Sequence, residues 1–359
     1  IEKTRTVEIM LPRFKVMLTP LFYSFIFYTF QYKVSCFLTP SHQKSCADKI
    51  LCDISDESNF FRMCNILIGW ELVLEKSWDI QPGTYQFYKQ GGGLPKLDPT
   101  QTELIHSLRR HNVTLLRKII VRNFYTSEMK QSNPWTSYVQ DELFDGIVIV
   151  FESIFQNPVE YVIQEFHDMI GDSGKNIYIE LSVKDSYARI TMERLPVINF
   201  VTGVIANTMS YSLGGLTKIP VIPTAFKSSN DLSLTNFIKR WKGYNKTEFY
   251  PWINVYPVVF KPLASGGPLV MRTVSYDKLK KIRDENVGNI WSHVKETKEM
   301  GVQKLRDGDL IYVFDTFNSL KKKVTVLTTN FNTLALSTRD LHNNTENENV
   351  LTLLEVGRC

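Results

Sequence analysis

The stretch LFDGIVIVFES, residues 143–153, decides how the chain is read. Phe144, Ile147, Val148, Ile149, Val150 and Phe151 are large and apolar, and then Glu152 appears. Side chains alternate along a strand, so Val148, Val150 and Glu152 share one face while Ile147, Ile149 and Phe151 take the other. A strand apolar on both faces is one buried on both faces, as in a parallel sheet flanked by helices. The carboxylate stands at the C-terminal end of that strand, which is where barrel enzymes place their chemistry.

The same pattern repeats along the chain. Candidate strands are KVSCFL (33–38), CNILIGWE (64–71), LRKIIVRN (116–123), GIVIVFE (146–152), NIYIELSV (176–183), VTGVIANTM (201–209), YPWINVYPVVF (250–260) and NTLALS (332–337). Between most of them lie amphipathic stretches such as TQTELIHSLRRHN, VEYVIQEFHDMIG and LSLTNFIKRWKGYN. Eight buried strands separated by helices predict an α/β fold, a (β/α)8 TIM barrel. The interval 261–315 is too long for one helix. It holds strand-like PLVMRTVSY and GDLIYVF around helical YDKLKKIRDEN, and so predicts a small α+β insertion between strands 7 and 8. A doubly wound sheet ranks second, because no GxGxxG turn follows the first strand.

The chain's 359 residues, 43% of them hydrophobic, suffice for a barrel-sized core. A net charge of +5 is mild at this length, and the basic clusters fall on helix-like faces without any base-reading motif. Nucleic acid is therefore not expected as a partner. The six histidines (His42, His106, His111, His167, His293 and His342) show neither HExxH nor Cys/His ligand spacing, and no metal or other cofactor is expected. There is no GxSxG elbow, and GGGLPK (91–96) lacks the spacing of a phosphate loop.

The N-terminus points to secretion. Residues 1–9 precede Met10 and are set aside as upstream of the fold. From Met10, basic Arg13 and Lys15 precede an apolar run from Met17 to Phe30, too short to span a bilayer. Residues 10–31 thus read as a signal peptide, with an uncleaved anchor as the alternative, and residues 32–359 as the barrel. Three sequons, at Asn112, Asn245 and Asn343, agree with a secreted glycoprotein. Five cysteines (Cys36, Cys46, Cys52, Cys64 and Cys359) permit disulfides in that compartment and leave an odd thiol.

FDGIVIVFE resembles the signature of glycoside hydrolase family 18, the chitinases and chitinase-like lectins, which runs F-D-G-x-D-x-D-x-E. Phe144, Asp145, Gly146 and Glu152 match it, and Val148 and Val150 stand where that family has aspartates. The resemblance runs from about Tyr32 to Val356. YKVSCF and MCNILIGWE resemble the family's first two strands, each with a cysteine, which implies a Cys36–Cys64 disulfide. ANTMSYS resembles the sixth-strand M-x-Y-D, keeping Met209 and Tyr211 and replacing aspartate by Ser212. VSYDKL resembles a segment of the family's insertion, and NVLTLLEV its last helix. NTLALSTRD resembles the eighth strand, with Leu336 at the position of the tryptophan beneath the sugar.

The resemblance implies chemistry by substrate assistance. The glutamate protonates the glycosidic oxygen while the substrate's own acetamido carbonyl attacks the anomeric carbon, steadied by the neighbouring aspartate and tyrosine. This chain keeps Glu152 and Tyr211. Val150 neither accepts a hydrogen bond nor carries charge, Val148 removes the tuning carboxylate, Ser212 is uncharged and Leu336 offers no indole. Losing one electrostatic stabiliser typically costs about a hundred- to thousandfold in rate. The expectation is a secreted, non-hydrolytic protein that binds chitin-type N-acetylglucosamine oligomers or a protein partner, with Trp70 and Trp252 as aromatic surface. The competing expectation is a weak or altered glycosidase using Glu152, with Asp340 or Glu180 as a second acid or base.

Overall fold

Seven of the eight apolar runs supply parallel barrel strands. The computed structural model describes residues 47–53, 64–76, 85–89, 96–121, 139, 141–151, 159–182, 193, 196–207, 233–253, 255, 257–261, 270–274, 278–279, 281–282, 302–307, 309–315 and 317–337. All lie in the compact unit Lys44–Cys359. Residues 1–31, Cys36, Cys46, Cys359, Glu152, Tyr211, Ser212, Asp340 and Asn343 lie outside the described residues.

In chain order the strands are β1 (Lys49–Asp53), β2 (Ile66–Lys76), β3 (Tyr85–Lys89), β4 (Thr114–Val121), β5 (Gly146–Phe151), β6 (Asn176–Ser182), β7 (Gly203–Asn207) and β8 (Glu248–Ile253). They continue with β9 (Val258–Lys261), β10 (Val270–Thr273), β11 (Val302–Asp307), β12 (Leu310–Asp315) and β13 (Thr333–Ser337). One sheet runs β1-β13-β8-β7-β6-β5-β4-β2-β3, and β1 also pairs with β2. That extra parallel pairing, Leu51 opposite Ile66, closes eight strands into the expected (β/α)8 barrel. Strand β3 is a ninth, antiparallel to the C-terminal part of β2.

Helices α1 (Pro99–Arg109), α2 (Val159–Ile170), α3 (Leu234–Trp241) and α4 (Phe317–Asn330) connect barrel strands. Their sequences say where they begin. The Asp98 carboxylate accepts from the Gln101 amide and Gln101 answers with its side chain, a capping box before Pro99. In α2 the buried residues Val159, Val162, Ile163, Phe166, Met169 and Ile170 recur at helical spacing and form the barrel-facing stripe.

The insertion is a separate antiparallel sheet, β10-β9-β12-β11, lying in sequence between β8 and β13, the seventh and eighth barrel strands. Leu279 and Ile282 pack on its Val259, Val274 and Tyr312. One expected strand, 250–260, is two. Strand β8 ends at Ile253 and belongs to the barrel, while β9 starts at Val258 and belongs to the insertion. Pro257, which has no amide N–H to donate, stands between them.

The first barrel strand differs from the sequence expectation. It is KILCD (49–53) and not KVSCFL (33–38), because KILCD pairs in register with both β13 and β2. Its lumen face carries Lys49 and Asp53 at the two ends, which hides a strand from any search for apolar runs. The disulfide moves with it. Cys64, just ahead of β2, bonds Cys52 of β1, with Cα atoms 6.0 Å apart, so the implied Cys36–Cys64 pair is replaced. The bridge still joins the first two barrel strands, from Cys52 on β1 to Cys64 just before β2. The strand-one cysteine is Cys52.

Parity then sorts the core. Leu67, Leu115, Ile147, Ile149, Phe151, Ile179 and Val204 point outward to meet the helices, and Phe166, Phe237 and Trp241 cover them. Leu51, Ile66, Ile68, Leu116, Val148, Tyr178, Ile205, Tyr250 and Ala335 fill the lumen.

The part of the signature that this chain keeps, FDG, supports that packing. The Asp145 amide donates to Leu115 O at 2.8 Å, and its Oδ2 accepts from Leu115 N, also at 2.8 Å. Asp145 O takes the Asn176 amide at 3.0 Å, so one residue ties together the starts of β4, β5 and β6. Gly146 permits this approach, since a Cβ there would lie 2.2 Å from Asn176 O. Phe144 lies in the outer core with the Arg117 guanidinium 4.8 Å from its ring centroid.

Peptide mapping of the oxidised protein should recover Cys52 linked to Cys64. The Cys52→Ser, Cys64→Ser variant should lose about 3 kcal/mol in urea unfolding, the stabilisation expected for closing a short loop. A Cys36–Cys64 peptide would contradict the register of β1.

Candidate functional site at the barrel mouth

The C-terminal ends of the barrel strands bring four charged side chains together in the lumen. Lys118 of β4 places its Nζ 2.9 Å from Asp53 Oδ2, 3.4 Å from Glu71 Oε1 and 3.3 Å from Glu180 Oε2. The four side chains are only 8%, 3%, 8% and 9% exposed, respectively. Trp252 of β8 packs against the lumen core, and the Lys118 ammonium sits 5.2 Å from its ring centroid. Burying charge costs several kcal/mol per ion unless the geometry returns it. Here one ammonium with three N–H donors meets three carboxylates. Removing one member of such a buried set typically costs about 3–5 kcal/mol.

A distortion of β2 supplies the third carboxylate. Gly69 is opposite Arg117 and Leu72 opposite Ile119, so Trp70 and Glu71 together oppose Lys118. This bulge holds Trp70 at φ 52°, a left-handed conformation unfavourable for a residue with a side chain. Its effect is to send Trp70 outward and leave Glu71 beside Lys118. Trp70 is buried in the outer core 5.4 Å from the Phe144 ring. It is a packing residue, and the expectation that it forms a ligand surface is corrected.

Strand β5 passes through the same region. Val148 is fully buried in the lumen, in register with Lys118 on one side and Tyr178 on the other. Val150 packs on the lumen core between Ile120 and Glu180. The inward face expected for the two valines is the face observed. Glu152 would come next along β5, beyond the described residues. Burying a valine stabilises by roughly 1.5–3 kcal/mol, so these positions contribute packing to the barrel.

The eighth strand requires a second correction. Leu336 lies in the outer core beside Leu334, packed with Leu320 and Leu327 of α4, whereas Ala335 faces the lumen. Leu336 is thus not a lumen position. The sequence LAL is apolar on both faces, and hydrophobicity alone does not give its parity.

Below the mouth the lumen is filled by aromatic rings. Tyr178 and Tyr250 meet edge to face at 6.0 Å, and Tyr250 donates from its hydroxyl to Glu248 Oε2 at 2.6 Å. Gly203 makes room for them, since a Cβ there would lie 2.6 Å from the Tyr178 ring. Lys49 and Glu248 form an ion pair at the N-terminal end.

This is a filled barrel with a charged mouth. No protein-family model and no curated protein matches the sequence, but solved structures do. A glycoside hydrolase family 18 N-acetylglucosaminidase from Paenibacillus barengoltzii superposes with a TM-score of 0.60 at 12% identity, covering 86% of this chain and 99% of that one. The chain has the fold of the family 18 chitinases. An Ostrinia furnacalis Group IV chitinase gives 0.57 at 14% identity, over 86% and 100% of the two chains. A mutant class V chitinase from Nicotiana tobaccum, solved in complex with NAG4, gives 0.56 at 11% identity, over 86% and 98%.

Within this chitinase fold, sequence reading puts Val148 and Val150 on one strand face, which is the lumen face, and names Trp252 and Glu180, which also lie at the lumen. It misses Asp53, Glu71 and Lys118. Their signal was a charged residue inside an apolar strand, as in ILCD, IGWELV and LLRKII. In the last, Arg117 turns outward to Asp141 at 3.1 Å and Lys118 turns in. Among the described residues no group of three or more His, Cys, Asp or Glu is placed to hold a metal ion. The three carboxylates converge on an ammonium instead. Among the described residues no helix is long and apolar enough to cross a membrane.

Burial, reinforced by Glu248, pushes the Tyr178 hydroxyl from 10.0 up to about 12, and burial pushes Tyr250 up as well. A raised tyrosine favours the folded state below pH 10 and loses that contribution as pH climbs from 10 toward 12. Urea midpoints should therefore fall steeply across that window, with Tyr178 alone accounting for about 2–3 kcal/mol. Tyr178→Phe should flatten the decline, and an unchanged slope would show that Tyr178 ionises as freely as in the unfolded chain.

Proposed function

We propose that the chain is a secreted chitinase-like protein that binds chitin-type glycans or a protein partner without effective hydrolase activity. The observation that carries this reading is the lumen face of β5. The two positions that match the signature's aspartates hold Val148 and Val150, packed among lumen side chains. Neither can hold an acetamido N–H or steady a developing oxazolinium charge. Among the described residues, Asp53, Glu71 and Glu180 are ion-paired with Lys118.

The same network argues against an altered glycosidase. Glu180, a candidate second acid or base, is buried against Lys118 at 3.3 Å. A general acid or base must exchange its proton with the reacting group, and an ion-paired carboxylate is poorly placed to do so. Glu152 and Tyr211 remain in this proposal as a residual acid and an orienting tyrosine without their partners. Among the described residues Trp252, which packs on the lumen core beside Lys118, is the aromatic side chain proposed for sugar contact.

Secretion is supported by the Cys52–Cys64 disulfide and by two sequon asparagines, Asn112 and Asn245, that are exposed. Glycan binding is supported by the fold, and by NAG4 in the Nicotiana tobaccum complex.

Titration with NAG4, followed by calorimetry, tests the glycan arm. Heat of binding is expected, and its absence leaves the protein-partner arm. Val148→Asp with Val150→Asp tests the rest. The new carboxylates would sit beside Lys118 and Glu180 respectively, the latter a like charge. The double variant should lose at least about 3 kcal/mol of stability and release no product from chito-oligosaccharides. Rapid hydrolysis would mean that the two valines are the whole defect.

A further inference from the structure

We propose that Lys118 is an internal ligand: its ammonium occupies a cation cage built by Asp53, Glu71, Glu180 and the face of Trp252, and so closes the mouth of the lumen from within. Three carboxylates around one indole face are the chemistry that recognises a primary ammonium group. Here the ammonium comes from the protein's own β4, with Nζ 2.9, 3.4 and 3.3 Å from the three carboxylates and 5.2 Å from the ring centroid. The contact is autoinhibitory in the plain sense, because a side chain holds the space and the polar partners that a bound group would need.

Two features show that the cage is built around this cation. First, it draws on four separate strands, β1, β2, β6 and β8, which meet only because the barrel closes. Second, the β2 bulge stands directly opposite Lys118 and holds Trp70 in a left-handed conformation that regular pairing would avoid. Strain of this kind persists only where surrounding contacts over-determine it. Its product is the placement of Glu71 at the ammonium. Three carboxyl groups and an indole face would still line the space if the lysine side chain were removed.

That last property gives the test, which requires no glycan to bind. Lys118→Ala leaves a lysine-shaped space lined by the three carboxylates. The variant should melt well below the parent. Adding n-propylammonium should restore at least half of the lost melting temperature saturably, while sodium chloride at equal ionic strength should not. The parent, already filled, should show no such response. If Lys118→Ala melts like the parent, or if sodium chloride restores it as well as the amine does, the cage assignment is overturned. If Lys118→Ala gives no folded protein, the triple variant Lys118→Met, Glu71→Gln, Glu180→Gln carries the test. Removing the cation together with two of its anions should restore a cooperative fold, and failure to do so would overturn the proposal.

Discussion

A closed eight-stranded barrel has a lumen just wide enough for side chains, and every strand residue faces either that lumen or the helix layer. The rest of this structure follows from that constraint. A residue placed inward must pack or find a partner, because water does not fill the space. Tyr178, Tyr250, Val148, Ile205 and their neighbours pack. Toward the C-terminal end the inward residues are charged, and Lys118 is ion-paired there with Asp53, Glu71 and Glu180.

The kept and changed parts of the FDGIVIVFE stretch divide along the same axis. Asp145 and Gly146 lie at the N-terminal end of β5, where they tie three strands together and admit a close backbone approach. Val148 and Val150 lie further along the lumen face, where the resemblance called for carboxylates. In barrels, residues at the N-terminal end support stability and residues at the C-terminal end support chemistry. In this chain Asp145 and Gly146 support the N-terminal end, and Val148 and Val150 contribute packing further along the lumen face. A lysine on the adjacent strand supplies the charge of opposite sign, in register with Val148.

Much of the barrel was legible because its strands are apolar on both faces, and that same property limited the reading. In GIVIVFE the glutamate fixed the parity, so the inward valines were found. In NTLALS nothing polar marks the parity, and Leu336, matched by resemblance to a tryptophan beneath the sugar, lies in the outer core. In KILCD the inward positions Lys49 and Asp53 are charged, so no apolar run marks this barrel strand, and the more apolar KVSCFL stands out instead. Glu71 was illegible for another reason. Its direction depends on a bulge that shifts the register of β2 by a residue, and no local pattern announces it. The cysteine correction follows from the strand correction, since Cys52 travels with KILCD.

The mouth of this barrel holds an ion-paired lysine and packed valines, and the proposal that it carries out no hydrolysis rests on them. It is tested most directly by incubating the purified wild-type protein with chito-oligosaccharides and following reducing ends and product lengths. The account predicts no product above the buffer blank over prolonged incubation. Steady release of shorter oligomers, abolished by Glu152→Gln, would contradict it.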